Sequence, residues 1–147
     1  MEKKQFHVGT IVSVVYGILV TPDSPEGRMA PLYEILNFMT GDNLFTRQLP
    51  RASRACEPHL REILPNLCGE AMDARVDFLQ TNLAMESHPG IKAGFVDAWL
   101  RDIVAVFGEM HDVTPLPAGV WLPKDPVQEM VDMRCDKETT IVVVGGK

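Results

Sequence analysis

Two runs of β-branched residues at opposite ends of the chain, Ile11-Val-Ser-Val-Val15 and Ile141-Val-Val-Val144, constrain the fold more than any other feature. The early run lies in a segment from His7 to Thr21 that reads as strand, interrupted at Gly17 by a hairpin turn or a bulge. The late run, Thr139 to Val144, reads as a strand covered on both faces. Almost everything between them is patterned for helix. The fold class this implies is α+β, with a small antiparallel sheet made from N- and C-terminal strands and packed with several helices.

The intervening segments supply those helices. Pro22 to Gly27, with two prolines and a glycine, is a surface loop. Leu32, Ile35, Leu36 and Met39 recur at helical spacing between Pro31 and Gly41, predicting a helix over 31–40. Asp42 to Leu49 connects it to a second helix that begins at Pro50, is kinked or restarted at Pro58 and is closed by Pro65. Met72, Val76, Leu79 and Leu83 predict a helix over 69–86. Phe95, Trp99, Ile103 and Val106, with Leu100 and Phe107 beside them, form an amphipathic stripe bracketed by Gly94 and Gly108. Four prolines make 113–126 an extended crossing, followed by a short helix around 126–133. At 147 residues, with no internal repeat, the chain is read as a single domain, 1–147.

Composition excludes several classes. With 46% hydrophobic and 23% charged residues the chain has the mix of a folded protein, not of a disordered one. Its apolar runs fall far short of the roughly 20 residues that span a bilayer, and the N-terminus leads straight into a strand-like segment, so no membrane and no signal peptide are expected. Cys56, Cys68 and Cys135 are an odd number for a disulfide framework, which points to a reducing, cytoplasmic setting. A net charge of −6 argues against general nucleic-acid binding.

Motifs that would announce catalysis or metal are missing. Cys56-x-x-His59 with Cys68 nearby imitates part of a zinc site but has no second ligand pair, and Cys56 fits the interior equally well. The sequence holds no Gly-x-Ser-x-Gly elbow, Walker loop, Gly-x-Gly-x-x-Gly or His-Glu-x-x-His, so no catalytic residue, metal ligand or cofactor is assigned. Asp73, Asp77, Asp97 and Asp102 read as solvated helix faces.

Charge is unevenly spread. Between residues 47 and 61 stand Arg47, Arg51, Arg54 and Arg61 against Glu57 alone, a net +3, which leaves −9 on the rest of a chain whose total is −6. Arg47, Arg51 and Arg54 lie at the entrance of a predicted helix, where unpaired N–H groups and the dipole already favour an anion. Arginine adds forked hydrogen bonding to phosphate. Phe45 offers a ring for stacking, and Asn43, Thr46, Gln48 and Ser53 offer polar groups that read base edges. The candidate ligand-binding set is Asn43, Phe45, Thr46, Arg47, Arg51 and Arg54, with Arg51 foremost. The competing reading pairs these arginines with carboxylates, Arg54 with Glu57 for example.

The block Gly41-Asp-Asn-Leu-Phe-Thr-Arg-Gln-Leu-Pro-Arg-Ala-Ser-Arg-Ala-Cys-Glu-Pro58 resembles a small domain of unknown function found in phage genomes and prophage-bearing bacteria. His7-Val-Gly-Thr-Ile-Val-Ser-Val14, Tyr16-Gly-Ile-Leu-Val20, Leu32 to Gly41, Val113-Thr-Pro-Leu-Pro117 and Asp125-Pro-Val127 look like the same pattern. In its size, its sheet with helices and its Phe-Thr-x-x-Leu-Pro-Arg turn, the chain is also similar to phage sponge proteins that counter Thoeris defence. Those proteins bind cyclic ADP-ribose signals or cyclic oligonucleotides without cleaving them. The resemblance implies a non-enzymatic phage or prophage accessory protein that sequesters an anionic, nucleotide-type small molecule as a homo-oligomer in the host cytoplasm. Trp121, Leu122 and Phe38 then either line a subunit interface or pack in the core. The principal rival is a protein–protein inhibitor of a host defence protein, anti-CRISPR-like, acting through its acidic surface. A small hydrolase of the same ligands is the third reading.

Overall fold

The computed structural model describes residues 2–22 and 24–122. Its elements run β1 (Lys4–His7), α1 (Val8–Tyr16), α2 (Met29–Thr40), α3 (Leu49–Ile63), α4 (Glu70–Met85), α5 (Pro89–Phe107) and β2 (Met110–Val113), with single 3-10 turns at Thr46–Gln48 and Pro65–Leu67. The class is α+β: five helices and a two-stranded antiparallel sheet in which Lys4 faces Val113 and His7 faces Met110.

The β-branched run at 11–15 is helix, not strand. Every residue from Val8 to Val15 is buried, because α1 is enclosed by α2, α3 and α5. A helix apolar all round belongs inside a protein, and its run of apolar residues has no period that separates it from a buried strand. Each valine or isoleucine costs a helix about 0.5 kcal/mol relative to alanine, whereas burying its side chain returns about 1.5–3 kcal/mol. Burial wins. Gly17 is accordingly no hairpin turn or bulge but the left-handed residue that ends α1, with φ +70° and its N–H on the Ser13 carbonyl. The chain then folds back along α1, where Ser13 Oγ donates to the Gly9 carbonyl at 2.8 Å and accepts from Val20 N–H at 2.9 Å.

The strand region at the N-terminus is therefore only Lys4–His7, and its partner is Met110–Val113, a segment the sequence pattern assigned to no strand. Thr139 to Val144 and the helix expected at 126–133 lie outside the described residues.

The other helices stand where periodicity put them, with shifted ends. α2 starts two residues before Pro31 and stops at Gly41, φ +71°. α3 passes through Pro58 as one helix; the proline and Arg54, whose carbonyl loses the bond, are both exposed. α4 buries Met72, Val76 and Leu79, and α5 buries Trp99, Leu100 and Ile103. Val106 of the expected stripe faces solvent, and α5 begins at Pro89, so Gly94 lies inside it. The two helices form a hairpin across a three-residue turn, pinned by Trp99 Nε1 donating to the Arg75 carbonyl at 3.0 Å.

From Thr114 to Leu122 the chain crosses the α2–α3 edge as a strap that turns at Ala118–Val120, where Val120 N–H donates to the Pro117 carbonyl at 3.2 Å. Thr114 Oγ1 lies 2.9 Å from His59 Nε2, Leu116 N–H donates to the Met39 carbonyl at 2.9 Å, and the indole of Trp121 donates to Asp42 Oδ2 at 3.1 Å. No described helix is long and apolar enough to cross a membrane.

Candidate functional site

The arginine-bearing segment is built by local hydrogen bonding. Leu44 N–H donates to Asn37 Oδ1 at 3.0 Å and Asn43 N–H to Asp42 Oδ1 at 2.8 Å, which seats the connector on the end of α2. Gln48 reaches back so that its Oε1 accepts from Phe45 N–H at 2.8 Å while its own N–H donates to the Phe45 carbonyl at 2.9 Å. This reciprocal pair closes the 3-10 turn that feeds α3, with Pro50 where a first helical turn tolerates it. Gln48 is thus buried, 3% exposed, and its amide serves the turn instead of a ligand.

The six candidate residues divide into separate environments. Asn43 and Phe45 are exposed, the ring by 57%. The Thr46 hydroxyl is hydrogen-bonded to the Tyr33 hydroxyl. Arg51 is half-buried: its guanidinium stacks on the Trp121 ring, 3.8 Å from the centroid, and Nη1 donates to the Leu122 carbonyl at 3.4 Å. The cation expected to lead ligand binding thus clasps the strap. Arg47 and Arg54 are exposed and make no hydrogen bond or ion pair among the described residues. Seven residues apart, they flank Pro50 at the i+3 and i+4 positions of one ridge. The Arg54–Glu57 pair does not form; Glu57 accepts instead from Arg61 Nε at 2.9 Å.

Beside that ridge lies a groove of about 340 Å³ between the end of α1, the start of α2 and the first turns of α3. Its walls are aliphatic, with Ile18, Leu19, Met29, Leu32, Leu49 and Pro50, and the hydroxyl-bearing residues Ser13, Thr46 and Ser53 stand among them. Mostly apolar walls with a few polar groups, at the small end of ligand-pocket volumes, suit a low-molecular-weight ligand. Phe45 is not among the lining residues. Sequence reasoning named Thr46 and the neighbouring arginines but missed the groove, which draws on three segments with no local signature. The only signal was the apolar pair Ile18 and Leu19 just beyond a helix stop, of which Leu19 stays 44% exposed.

The cysteines and Tyr16 sit elsewhere. Cys56 is fully buried and burial pushes its thiol up to about 12, so it is a neutral core side chain. Burial also raises Cys68, whose carbonyl accepts from Arg61 Nη1 at 3.0 Å. Tyr16 donates to Asp73 Oδ1 at 2.5 Å, and burial together with that carboxylate raises the phenol. Among the described residues no group of three or more His, Cys, Asp or Glu side chains is arranged to hold a metal ion.

Residues 6–70 match the model of a family described as a domain of unknown function (DUF7736). The matched span contains the whole groove, both ridge arginines and the Gly41–Pro58 block. No curated protein and no solved structure matches the chain.

Proposed function

We propose that this protein is a non-enzymatic binder that holds an anionic, nucleotide-type small molecule, with the ligand's body in the groove and its phosphate on Arg47 and Arg54. The observation that carries this reading is the pairing of an aliphatic groove with two exposed arginines that have no partner among the described residues. Two guanidinium groups on one ridge recognise phosphate by forked, charge-assisted hydrogen bonds, while the groove removes apolar ligand surface from water. Among the described residues that line the groove there is no histidine, cysteine or carboxylate, so a seated ligand meets no general base from them. Retention without turnover is what a signal-sequestering phage accessory protein of the sponge kind requires. Arg51, in this reading, holds the strap against α3 instead of touching phosphate.

The test is native mass spectrometry of the protein alone and with cyclic ADP-ribose isomers and cyclic oligonucleotides, followed by heat release and chromatography of whatever is bound. The expected result is an intact nucleotide, retained by the wild type and bound at least about tenfold more weakly by Arg47→Glu/Arg54→Glu. Unchanged masses across the panel would overturn the proposal, as would wild-type affinity in the double variant. A ligand returned chemically altered would mean a hydrolase.

A specific observation favours a second reading, a protein–protein inhibitor. Phe78, Met85 and Ile91 on the α4–α5 hairpin are 59%, 82% and 54% exposed, and Phe78 packs only loosely on Phe95, ring centroids 6.2 Å apart. Exposed apolar surface of this kind is what a protein partner would cover. Substituting Phe78→Ser and Met85→Ser separates the two readings, since it leaves a groove ligand bound and removes a protein partner.

A further inference from the structure

Two of the five described helices begin on a histidine. At the start of α1 the His7 imidazole Nδ1 accepts from Gly9 N–H at 3.0 Å. His88 does the same for α5, its Nδ1 accepting from Gly90 N–H at 3.1 Å and from Ile91 N–H at 3.4 Å. A helix start holds N–H groups with no intrahelical partner and the positive end of the dipole, and its cap is ordinarily serine, threonine, aspartate or asparagine. Imidazole can replace these only while Nδ1 is unprotonated. Imidazolium donates from both nitrogens and adds positive charge where the dipole already repels it.

We propose that the His7 cap forms an acid-sensitive latch that holds the start of α1 in place near neutral pH and releases its first turn as pH falls through the range of histidine protonation. The start of α1 packs on α5: a Cβ on Gly9 would lie 2.7 Å from Leu100 Cδ1, so loosening that start opens the seam between the two helices. α1 also supplies Ser13 and the Gly17 stop to the groove, which couples the latch to the shape of that site. The latch acts on the fold whether or not the groove holds a ligand.

The surroundings of His7 fix the direction. Glu109, in the turn before β2, favours its proton; burial, the largest influence, and His111 on β2 oppose it, and the folded imidazole lies below its ordinary 6.5. α1 itself carries no ionisable group except Tyr16 at its far end. The unfolded chain therefore takes up this proton first. The contribution of His7 is complete above about pH 6.5 and is lost as acidification runs from there down to the folded value.

Thermal unfolding of the full chain between pH 8 and pH 5 tests the latch against His7→Asn, since an asparagine carbonyl caps a helix without titrating in this range. The wild-type Tm is expected to fall by roughly 2–4 °C over the interval, and that of His7→Asn by less than half as much. An equal fall in both proteins would overturn the proposal. An NMR titration of the wild-type imidazoles gives a second readout that needs no variant: His7 should protonate below pH 6.5, with the Gly9 amide shifting in step. A His7 midpoint at or above 6.5, or a Gly9 amide indifferent to it, would equally overturn it.

Discussion

Gly9 is the residue on which the centre of the molecule closes. A Cβ there would lie 2.4 Å from the Val20 carbonyl oxygen and 2.7 Å from Leu100 Cδ1. Glycine inside a helix ordinarily gains about 0.5–1 kcal/mol when replaced by alanine. Here the nearer neighbour is backbone, held by Ser13 Oγ on Val20 N–H, and cannot step aside. Overpacking of this kind costs about 1–3 kcal/mol, so Gly9→Ala should destabilise, with a lower urea midpoint at unchanged slope. The arginines show how far single residues were legible. Their clustering at a helix start was readable from spacing and charge. That Arg51 turns to Trp121 while Arg47 and Arg54 stay open depends on a residue seventy positions away, which local sequence does not reveal.

At the level of elements, α3 tolerates a proline that should break it. An interior proline costs a helix about 3 kcal/mol relative to alanine, and α3 continues to Ile63 because its buried face, Leu49, Ala52, Cys56 and Leu60, is held by α1 and α2. Pro58→Ala restores the bond to the Arg54 carbonyl and gives back about 0.4–1 kcal/mol of unfolded-chain entropy. The net expectation is a gain of about 2–3 kcal/mol, read as a higher urea midpoint. Helices with one buried face, α2, α4 and α5, were legible from the recurrence of Ile35, Leu36 and Met39, of Met72, Val76 and Leu79, and of Trp99 and Ile103. α1 was not, because periodicity disappears when all sides are buried and the remaining signal, β-branching, favours strand. Four-residue strands such as Met110–Val113, with only Val113 buried, carry too short an alternation to register.

For the whole molecule, the α+β class followed from the mixture of patterns, and β1 pairs with β2, a strand those patterns did not reveal, while the strand expected at Thr139 to Val144 lies outside the described residues. The span 6–70 that matches a family model is not a closed unit in this fold: Phe6 and Val113, 4% and 0% exposed, cover each other's strand, and Leu100 of α5 seals α1. A fragment of residues 1–70 should therefore lack a cooperative thermal transition, whereas the full chain should show one; circular dichroism on both decides it. The enclosed position of α1 also has a consequence during synthesis. Its apolar surface is made first and its cover, α5, about ninety residues later, an interval of roughly 5–20 s at ordinary elongation rates. α2 and α3 cover two of its sides well before then, but the face that meets Leu100 stays open until α5 has emerged, so that strip of α1 is the surface a holdase chaperone would find on the growing chain.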